Sequence, residues 1–199
     1  PELKFDLQVA RALDPKTANA IDMHRRLSGS GNVVAYYGAA YDGEALHMML
    51  EPVDGTLAEF IAGHAEPAGS GRLPLERSVP ILVDLLRGVR DLEEQRIVHN
   101  ALDERHVMIK GGRPLIGKLA AASVVEDSSA GFGNLGYRPG SDEAAFRQPP
   151  ETIGGLATGA SNNVWRAGLI FAKMALGRLA TADLAARACE GLSRRGLYP

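Results

Sequence analysis

Between residues 99 and 118 the chain sets two imidazoles (His99, His106), a carboxylate (Asp103) and an ammonium (Lys118) in one short stretch. An imidazole such as His106 could ligate a metal or carry a proton, and could equally be a structural residue. Lys118 could hold the phosphates of a nucleotide; the alternative is a lysine that is solvated or locally paired. Asp103 is the nearby carboxylate able to take a proton from a hydroxyl. Elsewhere the polar residues have plainer readings. His24 and His47 read as structural or exposed. Tyr36-Tyr37 reads as strand packing rather than a cofactor box. Glu126-Asp127 and Ser128-Ser129 read as a solvated loop or a modified segment. Arg11 is a surface residue or a partner for Asp22.

Periodicity supplies the elements that must position these residues. Phe5, Leu7 and Val9 alternate at period two and predict a strand over residues 1–13. Asp14-Pro15 is a start signal for a helix over 17–27, with Ile21, Met23 and Leu27 as its apolar face. Two strands over 33–39 and 45–50 flank a turn at Tyr41-Asp42-Gly43-Glu44. A short helix over 57–64 precedes a Pro/Gly/Ser-rich loop. The clearest helix covers 75–95, where Val79, Leu82, Leu86, Val89 and Leu92 fall on one stripe and predict the buried face. Short strands over 107–109 and 115–116 surround Gly111-Gly112. Residues 121–148 read as a long loop. Helices over 163–176, ending at Gly177, and over 181–192 complete the chain. Strands and one helix followed mainly by helices predict an α+β fold with a small sheet-bearing lobe, 1–53, and a larger helical lobe, 54–199.

Composition sets bounds on function. The chain has 199 residues, enough for one core or a core with a thin accessory lobe, 45% hydrophobic and 23% charged residues, and a formal net charge of −2. That balance argues against a nucleic-acid or membrane surface. No apolar run approaches the roughly 20 residues of a spanning helix. The single cysteine, Cys189, rules out an intrachain disulfide, reads as a small buried hydrophobe, and favours a reducing, intracellular setting. The chain begins at Pro1, so a fragment or a processed protein is expected.

Five segments then resemble, in order and spacing, the motifs of protein kinases. GVRDLEEQRIVHNALDERHVMIK (88–110) is similar to the catalytic-loop region, with His99 on the motif His and Leu102 on the motif Leu. PLIGKLAAAS (114–123) is similar to the segment carrying the metal-binding DFG motif. FRQPPE (146–151) resembles the APE motif, placing Glu151 on its structural Glu, with Arg194 or Arg195 as a candidate partner. SNNVWRAGLIFAKMALGR (161–178) resembles the central helix of the large lobe, and MMLEPVDGTLAEFI (48–61) resembles the hinge between lobes. The resemblance covers about residues 7–178 and implies a kinase-like bilobal fold with a reduced N-terminal β-lobe and a mainly helical C-lobe.

The resemblance also implies what is missing. Phosphoryl transfer needs a positioned base, metal ligands and cationic clamps on the phosphates. Ala101 stands at the base position, His106 at the Asn that holds one magnesium, and Lys118 at the metal-binding Asp. Asn100 replaces the motif Arg. No Gly-rich phosphate loop precedes Leu7. Arg11 is the candidate for the phosphate-pairing Lys, and its Glu partner falls at Ala20, with Asp22 the nearest carboxylate. Packing positions are kept: His99 and Leu119 on the hydrophobic spine, Ile170 and Met174 on the central helix, and Trp165 and Gly168 as that helix's packing residues. Asn163 replaces the helix's usual Asp, which anchors the catalytic loop.

The resemblance therefore implies a pseudokinase with no catalytic residues, no metal and no obligatory cofactor, acting through other proteins as a scaffold, an allosteric partner or a structural subunit of a larger complex. Its shortened small lobe, and its end soon after the central helix, would leave core surface for a partner to cover. Two alternatives stay open. One is a divergent active Ser/Thr kinase that uses Asp103 as its base. The other is a module that binds ATP without magnesium, through Arg11, Glu51, Val53 and Lys118.

Overall fold

The computed structural model describes residues 14–42, 44–66, 70–125, 149, 159 and 161–194, with side chains in the last helix as far as Gly177. The predicted strand over 1–13 lies outside them, as does most of the predicted loop over 121–148. The described elements are mixed α and β, compatible with the expected α+β class.

Helix α1 (Pro15–Arg26) starts where its sequence says it should. The Asp14 carboxylate accepts from the Lys16 and Thr17 backbone N–H groups at 3.1 and 3.3 Å, and Pro15 fills the first turn, where an N–H has no helical partner. Ile21, Met23 and Leu27 are buried as expected. Strands β1 (Tyr36–Tyr41) and β2 (Leu46–Leu50) form an antiparallel hairpin with a bulge after Tyr36. Asp42 holds its turn, accepting from the Glu44 and Ala45 N–H groups at 2.9 Å. The first strand begins three residues later than predicted. Val33 and Val34 leave the hairpin to meet the distant Ile116: Val33 forms a parallel bridge with it, and the Val34 N–H donates to its carbonyl at 2.9 Å.

Strand β3 (Gly55–Thr56) leads into α2 (Leu57–His64), whose start is a reciprocal cap. Thr56 accepts from the Glu59 N–H while the Glu59 carboxylate accepts from the Thr56 N–H. Then come α3 (Leu75–Glu94), β4 (Ile97–Val98), β5 (Val107–Lys110), β6 (Arg113–Ile116), a 3-10 turn (Leu119–Ala121), β7 (Ser123–Val124) and α4 (Ser161–Arg194). β5 and β6 form a hairpin with β3 on its outer side, and β4 pairs with β7. The helical span of α4 is broken at Gly177, whose φ of 78° is open to glycine alone, as the predicted stop requires. The Met174 carbonyl in that last turn accepts from the Leu73 N–H at 2.7 Å.

The expected buried stripe of α3 needs correction. The face turned inward carries Ser78, Ile81, Leu85, Gly88, Val89 and Leu92, while Val79 and Leu86 are exposed. Gly88 explains the choice of face. A Cβ there would meet the Ile116 side chain at 2.9 Å and the Asn32 carbonyl at 3.1 Å, so the close approach of α3 to β6 needs a glycine at this position. One core cluster unites Met23 and Leu27 of α1, Leu85 and Leu92 of α3, Ile116 of β6, and Ile170 and Met174 of α4. It draws on residues from both sides of position 53.

Candidate functional site

The turn between β4 and β5 carries most of the residues singled out in the sequence, and a buried amide anchors its start. The fully buried Asn163 of α4 reaches both sides of that turn. Its Oδ1 accepts from the His99 N–H at 2.9 Å, and its Nδ2 donates to the Ile97 carbonyl at 2.8 Å. His99 is buried and its Nε2 lies 2.9 Å from the Gly117 carbonyl, which ties the turn to the segment after β6. Burial pushes the His99 imidazole down to about 4, although the Gly117 carbonyl pulls the other way. The ring is therefore neutral, with its Nε2 hydrogen donated to Gly117. Asn100 takes a left-handed backbone (φ 61°), and its Nδ2 donates to the Ala121 carbonyl and Ser123 Oγ at 3.0 and 2.9 Å. It thus fastens the 3-10 turn and β7. Leu119 in that turn is fully buried, as expected of a packing residue.

Asp103 is buried beside this turn and is heavily engaged. Its carboxylate meets His106 Nδ1 at 2.6 Å and accepts from the Arg105 N–H and guanidinium at 2.8 and 3.1 Å. Burial pushes its pKa up, but these hydrogen bonds outweigh it and hold Asp103 well below the usual carboxylate range. His106 is partly buried and stands edge-on to His99 with ring centroids 5.6 Å apart. The structure thus brings His99, Asp103 and His106 together. Ala101 follows in the same turn, its N–H bonded to the His99 carbonyl at 2.8 Å.

Lys118 follows Gly117 in a left-handed backbone (φ 54°), with its side chain exposed. It is near enough to Glu59 to help lower that carboxylate's pKa, behind the larger effect of the Thr56 hydrogen bonds. A second, small apolar cluster lies on the other side of Gly117, formed by Val34, Met108 and Leu115 with Leu50 and Val53 packed on it. Gly117 has no room for a side chain, since a Cβ would meet Met108 and Val34 at 3.1 Å each. Glu51 beside this cluster is fastened twice. Its carboxylate accepts from the Ala35 N–H at 2.7 Å and forms an ion pair with Lys110. Burial raises its pKa, and the Lys110 and Ala35 hydrogen bonds reverse that shift and leave it lowered.

Arg11, Glu151 and both candidate arginine partners for Glu151 fall outside the described residues. Asp22, the other partner considered for Arg11, accepts from Arg26 at 3.3 Å, and Ala20 is buried. Trp165 is half-buried, and Ile170 and Met174 are buried. Gly168 corrects its packing reading: it is exposed, and a Cβ there would meet nothing within 4 Å. Three contributors were not read from the sequence. Lys110 neutralises Glu51. Arg166 is buried on α4, with its Nε donating to Asn162 Oδ1 at 2.7 Å. Lys173 bridges to Glu104 at 2.9 Å, joining α4 to the turn before β5. Only the Asn162–Arg166 spacing of four was visible as a local signal.

Among the described residues no group of three or more His, Cys, Asp or Glu could hold a metal ion, and no helix is long and apolar enough to cross a membrane. No family model matches the chain. Over 112 residues, 51% of its length, the chain is 30% identical to the serine/threonine-protein kinase/endoribonuclease IRE1 of Hypocrea jecorina (strain QM6a), and it spans 9% of that protein's length. This similarity supports a kinase-like domain.

Proposed function

We propose that the chain is a kinase-like domain of two lobes, residues 1–53 and 54–199, that does not transfer phosphate and works by binding other proteins, as a scaffold, an allosteric partner or a subunit of a larger complex. The observation that carries this reading is the state of Asp103. A catalytic base should hold a proton affinity near the working pH and be free to meet a hydroxyl. Asp103 is buried, held by Arg105 and His106, and far too acidic for that task. Ala101 offers no alternative, and Lys118 places a cation where the resemblance calls for a metal ligand. The partial identity to a protein named as a kinase supports the domain type and leaves the loss of chemistry to these residues.

The decisive assay is incorporation of labelled phosphate from magnesium-ATP into the chain itself or a generic protein substrate. No incorporation above a protein-free blank is expected. Incorporation that disappears in Asp103→Ala would establish an active enzyme instead.

One observation favours a second reading, a nucleotide-binding module without metal. Lys118 presents an exposed ammonium immediately after Gly117, which packs on the apolar cluster of Val34, Met108 and Leu115. A nucleotide with its base on that cluster could place phosphate near Lys118. ATP would then raise the melting temperature by mass action, and magnesium would leave the rise unchanged or weaken it. A rise that Lys118→Ala does not reduce would remove this reading.

A further inference from the structure

Helix α3 carries two apolar stripes where a surface helix ordinarily carries one. The inner stripe packs on β6 and α4. The outer stripe faces away from the core: Leu75, Val79, Val83 and Leu86 are 57%, 45%, 44% and 39% exposed. Leu82, partly buried, lies between them. Residues 75, 79, 82 and 86 are spaced four, three and four apart, which is the repeat of a seam between two packed helices.

The charges bordering this stripe point to its occupant. The first turn of α3 carries Glu76, and Arg87 lies on the same border three turns later. Two such helices laid parallel would put this border on opposite sides of the seam in the two copies, so that Glu76 meets neither arginine of the other copy. Laid antiparallel about a two-fold axis near Pro80 and Ile81, they set Leu75 against Leu86 of the other copy and Val79 against Leu82. The same axis brings Glu76 beside Arg87 of the other copy, and does so twice. Antiparallel helix dipoles add to this preference. Arg87 is paired with Asp84 on its own helix, but its guanidinium is more than half exposed and keeps donors for a second carboxylate. The stripe is therefore self-complementary in both shape period and charge.

We infer that two copies of this chain associate through the outer face of α3, as an antiparallel, two-fold symmetric helix pair. The contact is a single helix face, so association is concentration-dependent rather than permanent. It does not depend on whether the chain binds nucleotide or transfers phosphate.

Sedimentation velocity of the 199-residue chain from micromolar to near-millimolar concentration tests this. A reversible monomer–dimer equilibrium is expected. Val79→Glu and Val83→Glu should each abolish the dimer, with an unchanged circular dichroism melt showing that the fold survives. Glu76→Arg should raise the dimer Kd about tenfold by setting like charges together. Glu76→Arg combined with Arg87→Glu should bring the Kd back towards its starting value. A chain that stays monomeric at every concentration would overturn the proposal and leave the face to a different protein. A dimer that survives Val79→Glu, or a charge swap that fails to restore association, would overturn it as well.

Discussion

Two buried histidines differ in what holds them. His99 sits in the turn after β4, where its backbone N–H is taken by Asn163 and its ring by the Gly117 carbonyl. His24 sits on α1, stacked on Tyr36 with centroids 6.4 Å apart, and neither of its ring nitrogens has a hydrogen-bonding partner among the described residues. Burial lowers the pKa of both, and a backbone group pulls the other way at each, Gly117 at His99 and Val34 at His24. The difference teaches where polar groups have been placed for a purpose. Around His99 a buried polar network is satisfied and fixes one geometry. Around His24 a polar ring merely fills space, at the free-energy cost of stripping its nitrogens of water.

The largest test of this contrast is Asn163→Ala. It leaves the His99 N–H and the Ile97 carbonyl buried without partners and should destabilise the chain by about 2–4 kcal/mol in urea unfolding. A loss no larger than that of an ordinary surface substitution would mean the amide is not the anchor. Asn163→Asp sharpens the point. It keeps an acceptor for His99 but removes the donor to Ile97 and sets a carboxylate against that carbonyl, so it too should unfold earlier than the parent chain. His99→Leu comes next. It strands the Gly117 carbonyl and should lower stability by about 1–3 kcal/mol at neutral pH.

His24→Leu should act in the opposite direction. Removing two unsatisfied nitrogens from an apolar site should leave stability unchanged or raise it by about 1 kcal/mol. A clear destabilisation would show that the ring has a partner after all. The smallest effect is on pH dependence. Both histidines have folded pKa values below the ordinary 6.5, so the unfolded chain binds more protons as the solution becomes acid. Stability is then lost as pH falls below about 6.5, and for His99 the loss continues down to about 4. Replacing His24 by Leu should make that decline shallower in a pH series of unfolding midpoints, with no change above neutrality.

Much of the local architecture was legible. Asp14-Pro15 announced α1, the short helix over 57–64 was placed as observed, and Gly177 ends its helix with a backbone other residues avoid. These signals are legible because caps and stops act within a few residues. The turn carrying His99, Ala101 and His106 was placed between the helix ending at 95 and the strand over 107–109, and the two-residue strand β4 that opens it was missed. The resemblance put Asn163 at the position that anchors this turn, and its amide does bond His99, but Lys173 for Glu104 and, elsewhere, Lys110 for Glu51 were not legible, because they come from far along the chain. The state of Asp103 was hidden for a different reason. Arg105 and His106 are its sequence neighbours, yet only the fold of the turn aims both at one carboxylate.

Helix α3 marks the boundary between the two kinds of information. Its helical period follows from its apolar spacing, because side chains three and four positions apart share a face. Which face turns inward does not follow, because both stripes are apolar and both satisfy that period. The choice depends on the surface it meets. Ile116 and the Asn32 carbonyl approach so closely that only Gly88 fits beneath them, and the buried Ser78 lies on that same narrow face. Hydrophobicity is a property of each residue and can be read one at a time; a close fit is a property of two surfaces and exists only once they are brought together.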